Sequence, residues 1–135
     1  MGPSTDDPFD LQRFVEAQSG GIFETALAEL EAGRKQSHWM WFIFPQHRDL
    51  GRSSTALHFG LSGLDEARAY SSHPLLGPRL RRCCQAILPH LEAGKSAEAI
   101  LGGIDAMKLR SSMAIFAEAD PAEPLYAAVL GQAAP

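Results

Sequence analysis

Cysteine is nearly missing from this chain: there are two in 135 residues, and they are the neighbours Cys83 and Cys84. Adjacent cysteines make a poor basis for a disulfide framework, and no histidine or further cysteine stands at zinc-like spacing from them. They read as two reduced, partly buried thiols, with a vicinal redox or metal pair as the alternative. Long apolar runs are missing too. No uninterrupted stretch reaches the ~18 residues that a membrane span requires. Met1–Pro8 also lacks the basic and apolar regions of a signal peptide, so a cytoplasmic location is expected. There is no basic excess: 12 Lys and Arg stand against 16 Asp and Glu, a net charge of −4. That balance argues against nucleic acid or an acidic membrane as the partner. Phosphate-binding loops, dinucleotide fingerprints, nucleophile elbows and zinc-protease motifs are all missing, so nothing calls for a metal or cofactor, and no reaction type can be assigned.

What is there suits one folded domain. The length allows a sizeable core, and 45% hydrophobic with 21% charged residues is an ordinary soluble composition. The periodicity predicts an all-α domain of about seven short helices over residues 9–130, between a disordered lead-in at 1–8 and a flexible tail at 131–135. Asp10 is placed to cap a first helix reaching Gln18, with Leu11, Phe14 and Val15 on its apolar face. A second helix over 22–32 has Ile22, Phe23, Ala26, Leu27 and Leu30 inward, Glu24, Glu29 and Glu31 outward, and Gly33 beyond its end. A helix or irregular segment is expected around 56–61, and later helices at 64–71, from Gly77-Pro78 to about Leu88, at 97–101 behind Ser96, at 105–117 and at 125–130. In the helix at 64–71 Arg68 is taken as close to the core. In the helix from Gly77-Pro78, Leu80, Cys83, Cys84 and Ile87 are the buried candidates, with Arg79, Arg81 and Arg82 solvated.

The most unusual stretch is Arg34-Lys35-Gln36-Ser37-His38-Trp39-Met40-Trp41-Phe42-Ile43-Phe44-Pro45-Gln46, which holds both tryptophans. Ser37 is a candidate cap for a short third helix. Helix is preferred to strand here because no second strand-like run offers itself for pairing. Basic and hydrogen-bonding groups come immediately before a block that must be buried. Such an order suits the edge of a core, where a pocket with apolar walls and a polar mouth forms. Arg34, Lys35, Ser37, Trp39 and Gln46 are candidate ligand-binding residues there, and Arg52, with Ser53 and Ser54, can close over the same mouth. His38 is the candidate acid/base; its alternative is a satisfied structural histidine. A second constellation, Lys108, Arg110, Ser111 and Ser112, interrupts an amphipathic helix with polar residues. Arg110 suits bidentate capture of a phosphate or carboxylate, or an internal ion pair.

These segments resemble the bacterial domain of unknown function 1810 family. The resemblance is carried by Asp10–Val15, Ser37–Gln46, Leu50–Ser53, Leu64–Tyr70, His73-Pro74, Leu76–Leu80 and Lys108–Met113, and it spans roughly residues 8–130. It implies a small, soluble, mainly helical intracellular protein and no established activity. Some relatives carry the label "calpastatin", but that inhibitor is a disordered repeat protein, whereas this composition builds a core. Relatives continue past the position of Leu130 with a Gly-Gly segment and a further helix. A face covered in those relatives is expected here to be either exposed or covered by another subunit in a homo-oligomer. Two functions are thus expected in competition: binding of an anionic small molecule, such as a nucleotide or phosphorylated metabolite, or a non-enzymatic interaction module whose conspicuous residues serve the core.

Overall fold

Two helices of equal length carry the architecture. In the computed structural model, which describes residues 7–134, nine α-helices follow one another. They are α1 (Gln12–Ala17), α2 (Ile22–Glu31), α3 (Met40–Ile43), α4 (Ser54–Phe59), α5 (Leu64–Ser72), α6 (Leu76–Glu92), α7 (Ala97–Leu101), α8 (Gly103–Ala119) and α9 (Pro124–Ala133). A 3-10 turn spans Arg48–Leu50. Among the described residues there is no strand, only a parallel bridge between His47 and Leu61. The long helices α6 and α8 share α5 and α9 as packing partners; α2 completes one side against α6, and α7 the other against α8.

A ladder of rings runs through the core from four different helices. Phe14 meets Tyr70 edge-on at 5.0 Å, Tyr70 meets Phe116 at 5.3 Å, and Phe116 meets Tyr126 at 5.5 Å. All four are fully buried. Aromatic pairs in such tilted arrangements add ~0.5–1.5 kcal/mol each beyond their buried area. The polar ends are satisfied. The Tyr70 hydroxyl donates to the Phe42 carbonyl and accepts from Gln18, and the Tyr126 hydroxyl pairs with Ser71, which in turn donates to Asp120.

Several local expectations are corrected. Asp7, not Asp10, caps the first helix: its carboxylate accepts the amides of Leu11 and Gln12, while Asp10 turns the chain at φ +53°. Ile22 is exposed rather than inward. Arg68 points to solvent, and Glu66 takes the buried place beside Ala67 and Tyr70. That carboxylate is satisfied by Arg13 at 2.7 Å and by Ser62. Arg13 spends its remaining donors on the carbonyls of Phe9, Asp10, His58 and Gly60, stitching α1 to α4. Arg79 and Arg81 are not simply solvated: Arg79 lies over Phe23 and donates to Gln18, and Arg81 donates to the Ser71 carbonyl beside Glu123. Helix α6 also runs through Pro89 to Glu92, because an exposed proline near a helix end sacrifices one hydrogen bond that water replaces. The chain expected as a flexible tail from Gly131 is the last turn of α9, with Ala133 buried. Of the expected lead-in, residues 1–6 lie outside the described residues, as does Pro135.

Candidate functional site

The segment that leads into the tryptophans is organised by one carboxylate. Helix α2 ends at Glu31, and Gly33 turns the chain at φ +72°, where a Cβ would stand 2.9 Å from the His90 ring. A side chain there would meet both left-handed strain and a ring in the way. Downstream, the Lys35 amide donates to the Ile100 carbonyl at 2.8 Å, pinning the loop to α7. Glu29, expected to face solvent, instead turns to this loop. It accepts the amides of Gln36 and Ser37, the Ser37 hydroxyl and the Trp39 indole N–H. Burial alone would push this carboxyl up, but the Ser37 hydroxyl, the two amides and the indole outweigh it and hold the pKa at about 2. Ser37 is therefore a donor to Glu29 and not the cap of α3, whose N-cap position is held by Trp39 with no side-chain capping bond. Trp39 is buried and serves the core. Helix was the correct assignment for the aromatic block, but it amounts to a single turn.

Beyond Trp39 the surface opens into a pocket of about 380 Å³ between the start of α3 and the junction of α7 with α8. His38, Met40 and Trp41 line it from the segment leading into α3, and the Gly102-Gly103 wall with Ile104 and Asp105 from the start of α8. A Cβ on either glycine would meet nothing within 4 Å, so that wall is bare backbone facing open space. The first helical bond of α8 runs from Ala106 to the Gly102 carbonyl, so the amides of Gly103, Ile104 and Asp105 precede the hydrogen-bonded ladder. Two ammonium groups meet on the Asp105 carboxylate: Lys35 at 3.0 Å and Lys108 at 3.5 Å. Each also lies over an indole, Lys35 over Trp39 at 5.0 Å and Lys108 over Trp41 at 4.8 Å. The mouth thus holds two cations and one anion beside the positive end of a 17-residue helix dipole. Such an arrangement can hold an anion. His38 is exposed and makes no side-chain hydrogen bond among the described residues, so no proton-relay pair is assembled around it.

Only part of the expected set gathers here. His38 and Lys35 line the pocket, and Lys108 adjoins it through its contacts with Asp105 and Trp41. Gln46 lines a narrow adjoining cleft with Trp41 and Lys108. Arg34 and Arg52 are exposed and outside the pocket lining. Arg110 is occupied: it donates to Glu98 at 2.7 Å and to the Ala133 carbonyl at 2.6 Å, tying α7, α8 and α9 together. Ser112 is fully buried in the core, its hydroxyl without a partner, and Ser111 faces outward into a separate groove. The constellation 108–112 therefore breaks up, because successive residues on a helix point ~100° apart. Asp105, Trp41 and the Gly102-Gly103 pair were missed as site residues. The available signal was a glycine pair opening a long helix with an acid in its first turn.

The cysteines are buried thiols, and burial pushes Cys83 up to about 12 and Cys84 well above its usual value. Among the described residues no three His, Cys, Asp or Glu side chains converge as a metal site, and no helix is long and apolar enough to cross a membrane.

Comparison with known proteins adds relatives but no activity. A family model described as "Protein of unknown function (DUF1810)" matches residues 8–134. No curated protein matches the chain. The crystal structure of the conserved hypothetical protein Rv1873 from Mycobacterium tuberculosis superposes with a TM-score of 0.89 at 48% identity, covering 93% of this chain and 88% of that one.

Proposed function

The chain belongs to the DUF1810 family of proteins of unknown function, and from its pocket we propose that it binds a small anionic ligand between α3 and the N-terminus of α8. The observation that carries this reading is the convergence of Lys35 and Lys108 on Asp105, at the amide end of α8 and against the Trp41 face. One carboxylate for two ammonium groups leaves a local positive excess in a chain whose net charge is −4. A phosphate or carboxylate would be held by Lys108, Lys35 and the first amides of α8, and a flat organic portion by Trp41. A nucleotide or phosphorylated metabolite has both parts. The reading is of a binding protein. The setting we infer is the cytoplasm of a bacterium, where two unpaired thiols persist.

The test is thermal unfolding against a panel of inorganic phosphate, nucleotides and sugar phosphates. A ligand at ~100 times its dissociation constant stabilises the fold by ~2.7 kcal/mol, a shift of several degrees for a domain of this size. The shift should vanish in Lys108→Met and survive in Arg110→Ala. A flat panel across all anionic classes would overturn the proposal. The second reading, an interaction module, draws on Ile104 and Met107, which are 74% and 65% exposed on α8.

A further inference from the structure

Helix α8 is apolar on two opposite sides. Its inner side buries Ala106, Leu109, Met113, Phe116 and Ala119. Its outer side carries Ile104, Met107, Ser111, Ala114 and Glu118, at alternating intervals of three and four residues, with Ile115 half-buried alongside. That spacing places them along one stripe, the pattern of a helix seam. An apolar stripe on a helix is normally buried against another element, yet among the described residues Ile104, Met107 and Ala114 on this side remain exposed. The stripe is not uniform. Its N-terminal half protrudes, with Ile104 and Met107 the two most exposed large apolar side chains among the described residues. Its C-terminal half is recessed as an apolar groove of about 480 Å³ between Ser111, Ala114 and Ile115 on one side and Leu50 and Leu64 on the other, with Glu118 at its end.

We propose that this face docks a second copy of the chain, with the two α8 helices crossing antiparallel. A knob and a matching hole on one stripe are what an isologous two-fold interface requires, because each copy offers both and fills both. In antiparallel register Met107 of each copy enters the other's groove at Ala114 and Ile115. The small side chains of Ser111 and Ala114 let the helices approach. Charge favours the same register: Glu118 of one copy comes to the positive first turn of the other's α8, and the two helix dipoles run head to tail. A stable interface takes ~800 Å² from each partner, about one ninth of the 6955 Å² this chain exposes. A helix ~25 Å long with Leu50 and Leu64 beside it is of the right extent. This face differs from the one the family resemblance implied beyond Leu130, and it does not depend on the ligand reading. Asp105 and Lys108 lie round the helix from the stripe's centre, so a docked Glu118 approaches the first turn from the outer side.

The experiment is sedimentation and light scattering of the full chain, without ligand, from low to high micromolar concentration. The wild type should be a dimer that dissociates on dilution. Met107→Lys and Ala114→Glu should each weaken association roughly thirtyfold or more, with helical circular dichroism and melting temperature of the dilute monomer unchanged. An equimolar mixture of the two variants should recover a heterodimer, since the antiparallel register sets the new lysine against the new glutamate. A wild type that stays monomeric throughout, or association that survives both substitutions, would overturn the proposal. Variants that dissociate but do not recover on mixing would overturn the antiparallel register.

Discussion

Helices α6 and α8 are both 17 residues long and both anchor one side of the core, yet their outer faces have nothing in common. Outside, α6 presents Arg79, Arg82, Gln85 and Glu92, and two of its arginines lie over Phe23, covering an aromatic ring with their planes. Outside, α8 presents Ile104, Met107 and Ala114. Their inner faces are alike: Leu80, Cys83, Cys84 and Ile87 on one, Leu109, Met113 and Phe116 on the other, with the Cys84 and Met113 sulfurs 3.7 Å apart. Equal burial inside with unequal polarity outside separates what holds the domain together from what the domain meets. The first is distributed over both helices. The second is concentrated at α8, whose amino end borders the pocket and whose flank is the apolar stripe.

The largest effects should come from the shared inner faces. Leu80→Ala and Leu109→Ala should each cost ~2–5 kcal/mol in urea unfolding, because both side chains are wholly enclosed. Trp39→Ala should cost ~3–5 kcal/mol through its lost volume and the loss of one of the four donors to Glu29. If Leu109→Ala were nearly neutral while Leu80→Ala was severe, the equivalence of the two helices would fail.

An intermediate effect is expected where α8 is tied to its neighbours. Arg110→Ala removes the bonds to Glu98 and to the Ala133 carbonyl, and should lower stability by roughly 1–3 kcal/mol. It should leave any ligand-induced shift intact, in contrast to Lys108→Met. Loss of ligand response in Arg110→Ala at full stability would return that residue to a binding role.

Acid should reveal the Glu29 clamp. Its folded pKa of about 2 lies below that of an ordinary carboxyl, so its contribution is complete above the usual carboxylate range and is lost as pH falls towards 2. Melting temperatures measured from pH 6 downwards should fall more gently in Glu29→Gln than in the wild type, from a lower starting value. Parallel profiles would mean that the clamp is not what acid breaks.

The smallest effects should come from the outer faces, and there the helices should part. In dilute protein, Met107→Ser and Arg82→Ser should each change stability by less than ~0.5 kcal/mol. As concentration rises, the melting temperature of the wild type and of Arg82→Ser should climb, while that of Met107→Ser should not. A Met107→Ser melting temperature that climbs equally would erase the distinction between the two faces.

By itself the sequence determined that the chain is all helical, where most helices lie, and which side of α6 is buried, because these follow from spacing and from local signals. Ser96 caps α7 as its place before an apolar run implies, and Gly33 ends α2 as its freedom at positive φ allows. The core positions of Phe14, Leu80 and Ile87 were legible for the same reason. Only the tertiary structure decided the uses of the polar residues. Glu29 looked solvated because its helix position is near the edge of the apolar stripe; a loop beyond Gly33 brings four donors to it. Arg110 read equally as a ligand clamp or one half of an internal ion pair until α7 supplied Glu98 and α9 the Ala133 carbonyl. Asp105 looked ordinary until Lys35, far away in the chain, met it at 3.0 Å. Periodicity fixes a residue's direction from its own axis, but a charge or a hydrogen-bonding group takes its role from what stands opposite. That partner comes from another part of the chain, through packing that no local pattern records.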